Sequence, residues 1–288
     1  MEEWVNDMDE MLSDDEFTDE DEVPVPFGWL MEQLNEQDPE TRIQAVSALW
    51  DHVEPEAMER LFDMAQNDPD ERVRCKAISG LGRYIWECTV IDFDFPDPYQ
   101  DDDLTQEDLD RLRSFLLGLY RDEGRSLDER RYAVEALSFL PENVVIDLIQ
   151  ALYQRPEKQA KISALFSMGR SGIERWEKIL AREIWSEDKE IRIEAIDAVG
   201  EMRVDSLGKD LWRLTYDPDR DVMMAALFSL GQTGWEEAFE RLDELTLHPD
   251  PEVRQVADAA LEEWMLFSQM GADLENGDEE QDEDADWM

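Results

Sequence analysis

The chain has 288 residues, 75 acids against 27 bases, a formal net charge of -48 and 42% apolar residues. That length and apolar content can bury a sizeable core, and the charge excludes a protein that meets nucleic acid through a basic surface. Apolar runs are too short to span a bilayer and the first residues are acidic where a signal peptide would be basic, so no membrane span is expected and a cytoplasmic location is predicted.

Residues 1–26 form an acidic tail predicted to be disordered, with twelve acids and no Lys or Arg among residues 1–22. Trp4, Val5, Met8, Met11, Leu12 and Phe17 are spread among those acids, and sparse apolar anchors of this kind suit a basic, partly apolar partner. Trp4 and Phe17 are its candidate anchors. The plainer alternative is that the tail only keeps the protein soluble, or that Trp4 and Met8 fold back on the first repeat.

From residue 27 a helical pattern begins and returns through the chain. Its most regular part reads Arg-x-x-Ala-x-x-(Ala/Gly)-Leu: Arg42, Ala45, Ala48, Leu49, then Arg74, Ala77, Gly80, Leu81, then Arg130, Ala133, Ala136, Leu137. Arg192 and Arg254 open two further full copies, and weaker ones are placed at Lys158, Lys161, Ala164, Leu165 and at Met223, Ala226, Ser229, Leu230. Counted at the second small residue, the copies are spaced 32, 56, 28, 34, 31 and 31 residues apart. Small residues three apart share a helix face and let a neighbouring helix approach, and Asp38-Pro39, Asp68-Pro69, Asp217-Pro218 and Pro249-Asp250-Pro251 supply starts. A second apolar-periodic segment precedes each copy. Periods near 30 mean stacked helical hairpins, so the fold class is all-α, an α-solenoid of about seven helix-turn-helix repeats over residues 27–268.

The spacing of 56 marks an insertion. Residues 87–104 carry Pro96, Pro98 and a run of acids without helical period, and are read as a loop leaving the stack. Thr105 and Asp108 then restart a helix in a capping-box arrangement. Two repeats precede this loop and five follow it. Residues 269–288 form a second acidic tail, predicted to be disordered, with Trp287 as a candidate anchor.

The turn, the Val-Arg pairs Val73-Arg74 and Val253-Arg254 with Ile191-Arg192, and the Ala-x-x-Ala-Leu that follows resemble HEAT repeats, specifically the short HEAT-like type also found in phycobilisome lyases. In such repeats the turn Asp and the Arg form a hydrogen-bonded ladder along the stack. The resemblance thus implies structural roles for Arg42, Arg74, Arg130, Arg192 and Arg254, with interruptions at Lys158 and Met223. It implies little about activity, because the superfamily holds adaptors, scaffolds and a few enzymes.

Chemistry is sparse. His52 and His248 have no ligand-like neighbours, and no phosphate-binding loop, nucleophile elbow or Cys-x-x-Cys occurs. The repeated His-Glu pairs of the HEAT-repeat deoxyhypusine hydroxylases are missing, and a chain of this charge would repel the duplex that HEAT-like DNA glycosylases bind. Asp92 and Asp94 open a calcium-loop spacing but lack its glycine, so no metal site is expected. Cys75 and Cys88 read as buried thiols. No catalytic residue and no cofactor is predicted.

A binding surface is predicted from the register. With the Arg position as zero, positions +2, +5 and +9 share a stripe on the second helix of each repeat, the helix expected to line the concave side. The stripe reads Tyr132, Glu135, Phe139 in the third repeat, Ala160, Ser163, Ser167 in the fourth and Glu194, Asp197, Glu201 in the fifth. An aromatic pair followed by a carboxylate triad suits a cationic segment, although the same stripe would serve as an ordinary solvated face. The function expected is a monomeric, non-catalytic adaptor or scaffold that binds a basic protein or peptide through this groove and the tails, without direct nucleic-acid or membrane contact. The alternatives are an acidic chaperone or nucleic-acid mimic for a nucleic-acid-binding protein, and a phycobilin lyase-like enzyme.

Overall fold

The computed structural model describes residues 25–90 and 104–282. Among them are fourteen α-helices and no strand, arranged as seven hairpins. The first two hairpins are α1 (Phe27–Gln33) with α2 (Pro39–Ala48) and α3 (Pro55–Asn67) with α4 (Glu71–Val90). Then come α5 (Gln106–Arg121) with α6 (Leu127–Leu137) and α7 (Asn143–Tyr153) with α8 (Lys158–Ser171). The last three are α9 (Glu177–Glu183) with α10 (Lys189–Glu201), α11 (Gly208–Leu214) with α12 (Arg220–Gln232), and α13 (Ala238–Leu245) with α14 (Pro251–Asp282). One apolar core runs without a break from Leu30 to Ala260, as stacked hairpins that cannot bury their faces alone require.

Local signals set the helix starts. Asp38 accepts from the backbone of Thr41 and Asp188 from Glu190 and Ile191, each satisfying donors the first helical turn leaves open. Thr105 with Asp108 and Ser126 with Glu129 form reciprocal capping boxes at α5 and α6.

Two boundaries differ from the sequence expectation. Helix α4 continues through Glu87 to Val90, with Cys88 buried, so the insertion begins after 90 and not at 87; residues 91–103 lie outside the described residues. Helix α14 runs past 268 to Asp282, so the backbone of 269–282 is helical where a disordered tail is predicted. The tail anchors Trp4, Phe17 and Trp287 lie outside the described residues.

The register of the fourth repeat also differs. A Cβ placed on Gly82 would lie 3.0 Å from Ala136 Cα, one on Gly169 would lie 2.9 Å from Ala198 Cα, and one on Gly231 would lie 2.8 Å from Ala260 Cα. Each glycine stands eight residues after its repeat's zero position, which makes Lys161 the zero of the fourth repeat, three residues beyond Lys158. The left-handed residues that end three second helices agree: Gly172, Arg203 and Gly234 fall 31 residues apart. Ala160 and Ser167, placed on the exposed stripe by the earlier register, are fully buried. From the third repeat onward the period is a constant 31. The sequence pattern slipped because Ala164-Leu165 mimics the small-Leu step that Ser167-Met168 makes.

Candidate functional site

The corrected register sets what the second helices display along their shared face. On α6 the stripe is Tyr132, Glu135 and Phe139; on α8 it is Ser163, Phe166 and Arg170; on α10 it is Glu194, Asp197 and Glu201. Consecutive second helices pack against one another, so these nine side chains form a continuous strip. Arg170 and Phe166 were not among the residues the sequence analysis singled out, and the fixed 31-residue step back from Ala198 was the signal that finds them.

Contacts within the strip are specific. Ser163 Oγ donates to Glu135 Oε1, Arg131 Nη1 donates to Ser163 Oγ at 3.1 Å and to Glu135 Oε1 at 3.3 Å, and the Arg131 guanidinium lies 4.1 Å from the Tyr132 ring centroid. The Arg170 guanidinium sits between two rings, 4.3 Å from Phe166 and 5.0 Å from Phe139. It makes no hydrogen bond to any of the acids around it among the described residues. Glycine at 169 is what allows Glu201 to lie over α8, because a Cβ there would meet Glu201 Oε2 at 2.6 Å.

The electrostatics of the acid group follow from crowding, with Glu194 and Asp197 part-buried and Glu201 at the exposed edge of the strip. Desolvation and, behind it, the charge of Glu201 push the Asp197 carboxyl up to about 7. Glu194 is raised well above the ordinary carboxylate range by desolvation and by Asp197, Glu135 and Glu201, with Arg170 opposing. Glu135 and Glu201 are also raised by desolvation, against Arg131 and Arg170 respectively. Burial in turn lowers Arg170. Four carboxylates thus share a neighbourhood that holds two guanidinium groups, one already engaged by Glu135 and Asp128. Such a group binds protons or positive charge. It does not arrange itself as a metal cage: among the described residues no cluster of His, Cys, Asp or Glu could hold a metal ion.

The other residues singled out by sequence take structural positions. Arg42, Arg74, Arg192 and Arg254 each donate from Nη1 at 2.8 Å to the carbonyl six residues earlier, in the turn that begins their own hairpin's second helix. Arg42 also reaches Asp68 with Nε and Nη2, and Arg74 reaches Glu129 at 2.7 Å. Arg130 differs, donating to the Tyr120 carbonyl and stacking on that ring. Lys158, read as an interruption of this ladder, lies three residues before the zero position and bonds Asp188 and Glu190 in the next turn. The zero position itself, Lys161, pairs with Glu183. Cys75 and Cys88 are free, buried thiols whose burial pushes them up to about 12, so neither is a nucleophile.

No described helix is long and apolar enough to cross a membrane. No curated protein matches the chain in sequence. Among solved structures, the complex of CpcE and CpcF of phycocyanin lyase from Nostoc sp. PCC7120 is similar over 86% of this chain and 99% of its own, at 16% identity and a TM-score of 0.53. Human deoxyhypusine hydroxylase aligns over 83% and 84% at 16% identity and a TM-score of 0.39. A HEAT-like repeats protein of the archaeon Thermococcus onnurineus aligns over 84% and 97% at 16% identity and a TM-score of 0.40. At such identities the likeness to the lyase complex is one of fold alone. The model of HEAT repeats matches residues 28–90 and 173–262, more than half of the chain, and with seven hairpins in one stack the chain belongs to the HEAT-repeat family.

Proposed function

We propose that the chain is a non-catalytic, monomeric, cytoplasmic adaptor that holds a basic segment of a protein partner against the strip from Tyr132 to Glu201. HEAT-like repeats are suited to protein interaction because each repeat adds a helix to one extended face. The observation that carries the finer reading is the surplus of carboxylates in that strip. Glu194, Asp197 and Glu201 crowd their charges together, the first two part-buried, and a guanidinium or ammonium from a partner relieves that repulsion. Arg170 shows the geometry an incoming arginine would copy, with its cation between two rings and its charge facing the acids.

Binding is then linked to protons. Because Asp197 titrates near 7, the free strip carries bound protons at and below neutral pH, and a cationic ligand must expel them. Affinity is expected to rise as pH increases from about 5.5 to 8 and to fall with added salt.

The test is titration of a fluorescein-labelled peptide of alternating arginine and leucine into the full chain, followed by the same titration with a basic partner recovered from the host by affinity purification. The triple change Glu194→Gln, Asp197→Asn, Glu201→Gln is expected to weaken binding by at least about tenfold and to flatten both the salt and the pH dependence. Equal affinity and equal salt slope in the triple variant would sink the proposal.

A further inference from the structure

The opposite end of the second-helix face has the reverse chemistry. On α4 the stripe carries Lys76 and Arg83, and Arg83 lies between two tryptophans, 5.5 Å from the Trp50 centroid and 4.4 Å from Trp86. Both rings are more than a third exposed, Trp50 at 42% and Trp86 at 37%. Arg83 pairs with Glu87 on its own helix, and its Nε has no acceptor among the described residues. Lys76 has no carboxylate partner among them either. In a chain of net charge -48, a cationic patch framed by two exposed indoles is the place where a negative, partly apolar segment gains most from docking.

We propose that the occupant of this patch is the chain's own segment 1–24. Three observations select it. It joins the structure beside the patch: the Val25 carbonyl lies 3.3 Å from His52 Nε2 and the Phe27 ring 5.5 Å from the His52 ring. His52 follows Trp50 by two residues, and its own carbonyl accepts from Tyr84 Oη, the neighbour of Arg83, at 3.2 Å. The chemistry is complementary, since twelve acids and no Lys or Arg occupy residues 1–22, with Trp4, Met8, Met11 and Phe17 among them. The reach is ample, because even the stretch from Phe17 to Val25 spans roughly 25 Å when extended. A tether this short gives an effective concentration on the order of millimolar, so a weak intrinsic contact is enough to keep the patch filled.

Seating this segment reverses the sign of the patch. The carboxylates cover Lys76 and Arg83, and the second-helix face becomes negative from its first repeats to Glu201. The inference concerns residues other than the Tyr132 to Glu201 strip and stands or falls separately from the adaptor proposal.

The full chain provides the test. The change Asp9→Cys, made together with Trp4→Phe so that no tryptophan of the segment itself quenches, introduces the one accessible thiol, since Cys75 and Cys88 are buried, and a bimane label there reports contact with tryptophan. Its fluorescence is expected to be quenched at low salt. The quenching is expected to be lost at high salt, in the paired change Trp50→Phe with Trp86→Phe, and in Arg83→Glu. Lys76→Glu, on a part-buried side chain with no ion pair or hydrogen bond among the described residues, serves where Arg83→Glu disturbs folding. The triple change at Glu194, Asp197 and Glu201 is expected to leave the quenching intact. Fluorescence that ignores salt, the tryptophan changes and Lys76→Glu would overturn the proposal, as would loss of quenching only when acids of 91–103 are neutralised.

Discussion

The first three repeats and the last four join their neighbours by different means. At the N-terminal end the recurring arginines cross from one repeat to the next: Arg42 grips Asp68 with two hydrogen bonds and Arg74 reaches Glu129, whose carboxylate is almost fully enclosed. At the C-terminal end Arg192 and Arg254 serve only their own turns, and other cations carry the link between repeats. Glycines 82, 169, 200 and 231 let consecutive second helices approach closely along both halves, whereas Lys158, Lys189 and Arg220 each bridge to a pair of acids in the following turn only in the later repeats. The turns themselves diverge too: one register position carries Asn35, Asn67, Glu123 and Gln154 in the first four repeats, and the exposed Trp185, Tyr216 and Leu247 in the last three. Close approach of second helices is common to both halves, since Gly82 meets Ala136 across the insertion, and the halves differ in which charged groups tie their turns together.

The largest expected effect breaks the N-terminal device. Burial works against the charge of Glu129, but hydrogen bonds from Arg74, the Ser126 backbone and Arg125 outweigh it and hold the carboxyl at about 2. Glu129→Ala strands two arginines and removes half of a capping box, and is expected to cost about 3–5 kcal/mol in urea unfolding. With a folded value below the unfolded one, the stabilisation is present above about 4.5 and is lost as pH falls toward 2, so wild type and variant are expected to converge in acid. A constant difference down to pH 2 would contradict the ion-pair account.

Next comes the close contact between second helices. A methyl group on Gly231 would stand 2.2 Å from the Ala260 carbonyl oxygen, and rigid helix backbone cannot yield as a side-chain tip does. Gly231→Ala is expected to destabilise by about 1–3 kcal/mol. Gly118→Ala is the control, because that glycine lies exposed within α5 with nothing within 4 Å of a new Cβ. There the same change is expected to stabilise by about 0.5–1 kcal/mol. Opposite signs in thermal melts would separate packing from propensity.

A smaller effect distinguishes the acidic strip from both devices. Because Asp197 is raised to about 7 in the folded chain, its ionisation opposes folding, and stability should decline as pH rises from about 4 through 7. Asp197→Asn is therefore expected to stabilise by on the order of 1–2 kcal/mol at pH 8 and by little at pH 4. A variant less stable at pH 8 would mean that the carboxylate is held by a favourable contact and that the strip is not poised for a cation.

The fold was legible in the sequence because its cause is periodic. Ala45, Ala48, Ala195 and Ala198 recur at helical spacing, and the Asp-Pro turns announce the starts, so seven hairpins could be counted before any coordinate. Tyr132, Glu135, Phe139, Glu194, Asp197 and Glu201 were placed on one face by the same ruler. What failed was local degeneracy: Lys158 and Lys161 are both cationic, and Ala164-Leu165 and Ser167-Met168 both fit the small-large step. Choosing between them needs the contact of Gly169 with Ala198, which belongs to the neighbouring repeat. The three-residue slip hid Arg170, whose charge changes the strip from purely acidic to one with a cation at its centre. Helix α4's run to Val90 was obscured for another reason, since the acids that follow it carry no period from which an end can be judged.

The smallest expected effect tests whether the exposed cation ladder matters at all. Lys189 lies between Asp219 at 3.0 Å and Asp221, with its side chain 41% exposed, so solvent screens both pairs. Ion pairs of this kind contribute about 0.2–1 kcal/mol, and Lys189→Ala is expected to lower stability within that range and to lose even that at high salt. Removing Lys158, Lys189 and Arg220 together is expected to give no more than the sum of the single changes, because each bridges a different pair of turns with no shared acid. A triple variant that unfolds far more easily than this sum would mean that the ladder acts as a network. The constant 31-residue period would then be set by the spacing of charged turns, with the glycine contacts following from it.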